Sequence, residues 1–272
     1  MSIKLSVSNI AWQPDELEDH LKLLMELGCD GVEIAPSCIW KEPAHVSNDE
    51  IESLKNLISK YNLVVPAFHA LLFNRSDLSF FGEESIRQQT VLYLKKLIRL
   101  AGMLSVKVLV YGSPASRKVA EKHYDKCYEI AIDVFRELGI ESERNDVVFC
   151  IEPLGPNEND FIMTADEGNQ LVSDVGSNHF GLHLDIKAMA DAGEEFEAVF
   201  QKYGRILKHV HISEPGLAPP GSTGLDHNSI GRALSASCYD GFVSIEMKRG
   251  FGNTKDVIRD SVAYVRKSYF MV

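Results

Sequence analysis

Four apolar stretches in the second half of the chain end in side chains that could share one cation. They are Cys150-Ile151-Glu152-Pro153, His183-Leu184-Asp185, His209-Val210-His211 and Ser244-Ile245-Glu246. Three carboxylates and one imidazole in a dry pocket repel one another unless a counter-charge sits among them, and a divalent ion supplies it. Mixed oxygen and nitrogen ligation suits Mn2+, Mg2+, Co2+ or Zn2+, and the oxygen-rich set puts Mn2+ or Mg2+ first. His183 and His209 share the inward phase of Asp185 and His211 but lie two residues deeper. They read as hydrogen-bonded core histidines.

Such residues converge only if they end neighbouring strands in the same phase, since strand side chains alternate with period two. Apolar runs suited to strands occur at 5–11, 31–35, 64–70, 106–111, 147–152, 180–185, 207–212 and 242–247. They show little polar alternation, as strands buried on both faces of a parallel sheet should. Helical patterns separate them, at 14–27, 49–61, 84–104, 116–138, 165–175, 196–203, 229–237 and 254–269. Asn48 is placed to cap the second of these, and Thr164 to cap the fifth with Glu167 in the capping-box position. Eight strand–helix alternations without a linker predict a single (β/α)8 barrel over residues 1–272, with an open doubly wound sheet as the alternative. A barrel carries its active site at the C-terminal ends of its strands, where the four motifs end.

The bulk composition narrows the partners. Lys and Arg number 28 against 39 Asp and Glu, a formal charge of -11. A phosphate backbone is bound by an excess of cations, so nucleic acid and anionic membranes are not expected partners. The five cysteines form no CxxC or Cys/His cluster. Reduced thiols in a cytoplasm account for them better than a disulfide framework. No signal-peptide pattern opens the chain, and no apolar run reaches the ~18 residues of a membrane span.

With these residues in hand, the chain resembles the xylose-isomerase-like barrels and, within them, the sugar epimerases similar to D-tagatose 3-epimerase. The segments that carry the resemblance are Ile151-Glu152-Pro153 with Glu158, Leu184-Asp185, His209-Val210-His211-Ile212-Ser213-Glu214 and Ile245-Glu246. The resemblance implies that Glu152, Asp185, His211 and Glu246 hold the metal and that Glu152 and Glu246 are the catalytic pair. It implies proton transfer beside a carbonyl through a metal-stabilised enediolate. A proton returned to the opposite face gives an epimer, and one returned to the adjacent carbon gives an aldose–ketose isomer. A dimer or tetramer is implied as well.

Two positions depart from that pattern. The epimerases usually carry His three residues after the strand-six Asp and Arg six residues after the strand-seven His; here Ala188 and Leu217 stand there. A simple free ketose is therefore a weaker expectation than the metal site. Glu158, His69, Glu33, Trp12, His227 and Lys248 are the candidate substrate contacts, with Trp12 as an apolar wall and Asp226-His227 as a lid contact. A phosphate could be held after strand four, at Gly112-Ser113-Pro114 with Arg117, or by the segment Lys248–Thr254 leading into the last helix. The substrate expected is a sugar or sugar phosphate. The competing reading is a lyase similar to inosose dehydratases, with His227 or His69 as the general acid. A phosphodiesterase similar to the apurinic endonucleases would need many more histidines and a basic surface.

Overall fold

Each apolar run supplies a strand in the computed structural model, which describes residues 3–120 and 122–271. Among the described residues the strands are β1 (Lys4–Ser8), β2 (Gly31–Glu33), β3 (Ala67–Phe68), β4 (Val108–Tyr111), β5 (Val148–Ile151), β6 (Phe180–Asp185), β7 (Leu207–Ser213) and β8 (Phe242–Glu246). Their order is β2-β1-β8-β7-β6-β5-β4-β3, with every registered pair parallel. Parallel bridges Gly31↔Val64 and Ile34↔Phe68 join the two edges. The result is a (β/α)8 barrel rather than an open doubly wound sheet.

Helices α1 (Leu17–Glu26), α2 (Asn48–Lys60), α3 (Glu84–Met103), α4 (Tyr124–Arg144), α5 (Ala165–Val175), α6 (Ile186–Asp191), α7 (Phe196–Tyr203), α8 (His227–Ala236) and α9 (Thr254–Val265) connect the strands. Among the described residues no helix is long and apolar enough to cross a membrane.

Thr164 does cap α5, accepting the Glu167 amide at 3.2 Å, and Gly176 ends that helix at φ 66°, where a side chain would be strained. At α2 the cap is Ser47, not Asn48. Glu50 Oε2 accepts from the Ser47 amide at 2.9 Å while Ser47 Oγ accepts from the Glu50 amide, a reciprocal box that makes Asn48 the first helical residue.

Two elements depart from the expected bounds for local reasons, and one helix stands where none is expected. Strand β3 keeps only two residues; Pro66, just before it, has no amide to donate to a ladder. The helix expected at 116–138 starts later, at Tyr124. The Asp160 carboxylate accepts the Val119 and Ala120 amides at 2.8 and 2.7 Å, holding this stretch outside the helix. Helix α6 was not expected. Asp185 caps it by accepting the Ala188 amide at 2.7 Å.

The register sets up the site. Asp185 pairs across β6 and β7 with His211, and Ser213 pairs with Glu246 across β7 and β8. Apolar side chains fill the space between strands and helices. Ser6, Ser8, Glu33, His183, His209, His211 and Ser244 are all buried, forming a polar layer among the strands.

Candidate active site

His211 lies at the centre of this layer, and its two ring nitrogens meet different surroundings. Nε2 is 2.9 Å from Glu33 Oε1. Burial would raise the Glu33 pKa, but the facing His211, His69 and His209 outweigh it and hold the carboxyl well below its usual range. Glu33 is therefore an acceptor, and Nε2 carries the donated proton. The other nitrogen, Nδ1, is buried without a hydrogen-bond partner. Around it stand Glu246 Oε2 at 3.4 Å, Glu152 Oε1 at 3.9 Å and Asp185 Oδ2 at 4.0 Å.

This arrangement fits a divalent ion. Bonds of about 2.0–2.2 Å to a common ion place its donors roughly 3–4 Å apart, which is the spacing seen. The donor atoms of Asp185, His211 and Glu246 lie within 4.8 Å of one another, as do those of Glu152, His183 and His211. The electrostatics also call for a cation. Burial raises the Glu152 pKa well above the carboxylate range, with Asp185 and Glu246 adding to it against the pull of His211. Burial and the Glu246 charge push Asp185 up to about 6. Burial opposes a charge on His211, but Glu33 and Glu246 outweigh it and draw a proton onto the ring. A proton and a divalent ion answer the same need here.

The carboxylates are seated by neighbours. Glu152 packs against Gly112, where a Cβ would collide with Oε2; this close approach requires glycine. Arg117 is fully buried and donates to the carbonyls of Gly112, Phe161 and Glu152 at 2.7, 3.1 and 2.5 Å. It thereby ties the loops after β4 and β5 together. Glu246 Oε1 lies 3.2 Å from His69 Nδ1, and His69 Nε2 meets Ser8 Oγ at 2.6 Å. Asp185 accepts from Ser213 Oγ as well as from its cap amide. Sequence reasoning missed Ser8 and Ser213; both end their strands in the inward phase, a signal that was available.

A cavity of about 770 Å3 opens above these residues. Glu152, Asp185, Glu246, His69, Glu158 and Lys248 line it. Glu158 forms an ion pair with Lys187 at 2.6 Å, and Lys187 is a wall residue that the sequence did not single out. Leu217 lines the cavity, whereas Ala188 is buried and does not.

Several expected contacts stand elsewhere. Trp12 is buried and stacks on His20, ring centroids 4.8 Å apart, so it does not wall the cavity. Glu33 is buried beneath His211 and orients that ring instead of meeting substrate. His227 is no lid contact. It is buried, with Nε2 2.9 Å from Glu214 Oε1 and Nδ1 2.7 Å from the Tyr269 hydroxyl. Arg117 spends its donors on carbonyls and is not free for a phosphate. His183 is a core histidine, but both of its ring nitrogens lack hydrogen-bond partners. Burial and the neighbouring His211 and His209 hold it well below the usual range, hence neutral. His209 Nε2 sits 3.1 Å from Glu33 Oε1.

Comparison with known proteins agrees with this fold. A family model described as xylose isomerase-like TIM barrel matches residues 21–268. A D-psicose 3-epimerase of Enterocloster bolteae is 26% identical over 263 residues, covering 92% of this chain and 85% of its own. A 3-dehydro-D-guloside 4-epimerase of Escherichia coli is 24% identical over 270 residues, covering 97% of this chain and 99% of its own. The crystal structure of a 3-keto-D-glucoside 4-epimerase from E. coli superposes with a TM-score of 0.83 at 20% identity, covering 98% of this chain and 100% of that one. That last likeness speaks for the fold.

Proposed function

The chain belongs to the xylose isomerase-like TIM barrel family, and on that premise we propose that it is a carbohydrate epimerase or isomerase that moves a proton beside a ketone. The relatives acting as D-psicose 3-epimerase and 3-dehydro-D-guloside 4-epimerase support the reaction class. The observation that carries the reading is the meeting of Glu152, Asp185 and Glu246 around the unpartnered Nδ1 of His211. These four residues would hold the ion, with Mn2+ or Mg2+ best suited to an oxygen-rich set. When bound, the ion polarises the ketone and offsets the negative charge that builds on its oxygen.

The two glutamates divide the proton transfer. Burial would raise the Glu246 pKa, but the His211 and His69 imidazoles outweigh it and draw it below the carboxylate range. Glu246 is thus the ionised base that removes the proton, steadied by His69. Glu152, reaching the same space from the end of β5, is its proton-donating partner; the ion would offset the rise in proton affinity that burial gives it in the metal-free site. β6 and β7 stand between β5 and β8 in the sheet, so the pair approaches the reacting carbon from different sides. Glu246 takes a proton from one face and Glu152 gives one to the other, which inverts the centre with no net change in protons. Delivery to the neighbouring carbon instead yields the isomer.

The lyase reading loses ground. It needs a general acid beside a β-hydroxyl, and His227 is held by Glu214 and Tyr269 while His69 is engaged by Ser8 and Glu246. The setting we propose is the cytoplasm, where the free cysteines stay reduced, with a dimer or tetramer as the assembly. Elemental analysis of the purified protein tests the metal. Incubating a panel of ketoses and keto-glycosides in D2O, before and after stripping with chelator, tests the reaction. Metal-dependent deuterium incorporation next to the carbonyl is expected; no incorporation into any ketone by the metal-loaded protein, or undiminished incorporation after stripping, contradicts the reading.

A further inference from the structure

Resting on that reaction class, we propose that the outer part of the cavity is a subsite for an apolar, ring-shaped substituent of the sugar, which makes the substrate a glycoside and not a free ketose. The cavity of about 770 Å3 lies high in the ~300–1,000 Å3 range of ligand pockets. A single monosaccharide bound at the four carboxylate and imidazole ligands would leave much of it unfilled. The lining is of two kinds. The buried end is polar, formed by Glu152, Asp185, His69 and Glu246. Apolar side chains Ile10, Leu72, Phe73, Leu154 and Leu217 make up another part of the wall, and Asn74, Arg75, Ser76, Lys248 and Arg249 stand at its more exposed side.

Phe73 is the telling residue. It is 60% exposed although it belongs to the cavity wall. An aromatic face left open beside a polar reaction centre suits stacking against a second ring. Leu217 is the second observation. It is held at φ 52°, a left-handed conformation that is strained for a leucine. The surrounding loop is fixed to impose it. Glu214 accepts from the Gly221 amide at 2.6 Å and from Thr223 Oγ1, His227 and Tyr269 back it, and the Lys248 amide donates to the Leu217 carbonyl at 2.9 Å. A buried polar network is thus used to present an apolar side chain to the cavity.

The test compares D-fructose with the methyl and phenyl 3-keto-β-D-glucosides as substrates of the metal-loaded enzyme. It follows deuterium incorporation from D2O and measures binding of unreactive phenyl and methyl β-D-glucosides by calorimetry. The phenyl ketone should exceed the methyl ketone by about tenfold in kcat/KM, and Phe73→Ala should bring that ratio close to one. The unreactive phenyl glucoside should bind more tightly than the methyl one. Equal values for phenyl and methyl compounds overturn the subsite and leave the reaction class standing. No incorporation into any of the three ketones overturns both. If Phe73→Ala alters the sedimentation of the protein and not the phenyl-to-methyl ratio, Phe73 belongs to a contact between copies and the subsite is again overturned.

Discussion

Glu33 Oε1 lies 2.9 Å from His211 Nε2, so a carboxylate on β2 decides which nitrogen of an imidazole on β7 faces the reaction cavity. In the proposed function this pairing would turn four strand ends into one ligand set and place a residue buried beneath His211 in control of the metal. Partners of this kind typically change metal affinity ~10–100-fold when mutated. Glu33→Gln should therefore weaken Mn2+ binding by about that factor with the fold retained. Calorimetry on the chelator-stripped protein measures it, and an unchanged affinity contradicts the assigned role.

Gly112 leaves room for the Glu152 carboxylate, and a Cβ there would collide with it. Gly112→Ala should displace the acid without disturbing the core. Misplacement of a catalytic group by ~1 Å can cost about 100-fold in rate. A fall of that order in kcat/KM with little change in melting temperature is expected. Full activity in the alanine variant shows that Glu152 does not act from this position.

The pH dependence of metal binding has a definite sign. Asp185 is pushed up to about 6 by burial and the Glu246 charge, so below that pH a proton competes with the ion. His211, raised by Glu33 and Glu246 against burial, competes in the same direction. The ion releases these protons on binding, and affinity rises as pH increases through about 6. For the metal-free protein the linkage runs oppositely. A carboxyl raised in the folded state contributes stability that declines as pH climbs from about 4, the unfolded value. The rise in melting temperature on adding Mn2+ should be larger near pH 7 than near pH 5, roughly speaking. Equal rises at both contradict the coupling.

Arg117 is buried and joins the carbonyls of Gly112 and Glu152, at the ends of β4 and β5, to that of Phe161 in the loop after β5. Hydrogen bonds from charged groups contribute ~1.5–3 kcal/mol each, and their loss here leaves buried acceptors unpaired. Arg117→Met should destabilise the protein by at least about 3 kcal/mol in urea unfolding. A change below about 1 kcal/mol would show that water or neighbouring groups replace the tie.

The strands and the cluster of side chains at their ends were legible because both depend on short-range pattern. An apolar run that ends in Glu, Asp or His marks a strand and its functional tip together, and Glu152, Asp185, His211 and Glu246 meet as that pattern requires. Direction across a loop was not legible. Trp12 and His227 lie close in sequence to strand ends or loops near the cavity, yet one folds back onto His20 and the other onto Glu214. Glu33 has the right phase but sits one layer too deep, since His211 covers it. Arg117 reads as a free cation after β4, and only the packing shows its donors taken up by carbonyls. The ends of α2 and α4 depended on which side chain captured an amide, Ser47 and Asp160 respectively. Spacing alone does not decide such competitions.

Glu246 bears most of the central claim, because it faces His211 on one side and His69 on the other. Solvent-deuterium incorporation at the carbon beside the carbonyl, compared between the native enzyme and Glu246→Gln at equal metal loading, tests it most directly. The native enzyme should place deuterium at that carbon, and the variant should remain folded and place none. Incorporation by the variant at the native rate contradicts the account.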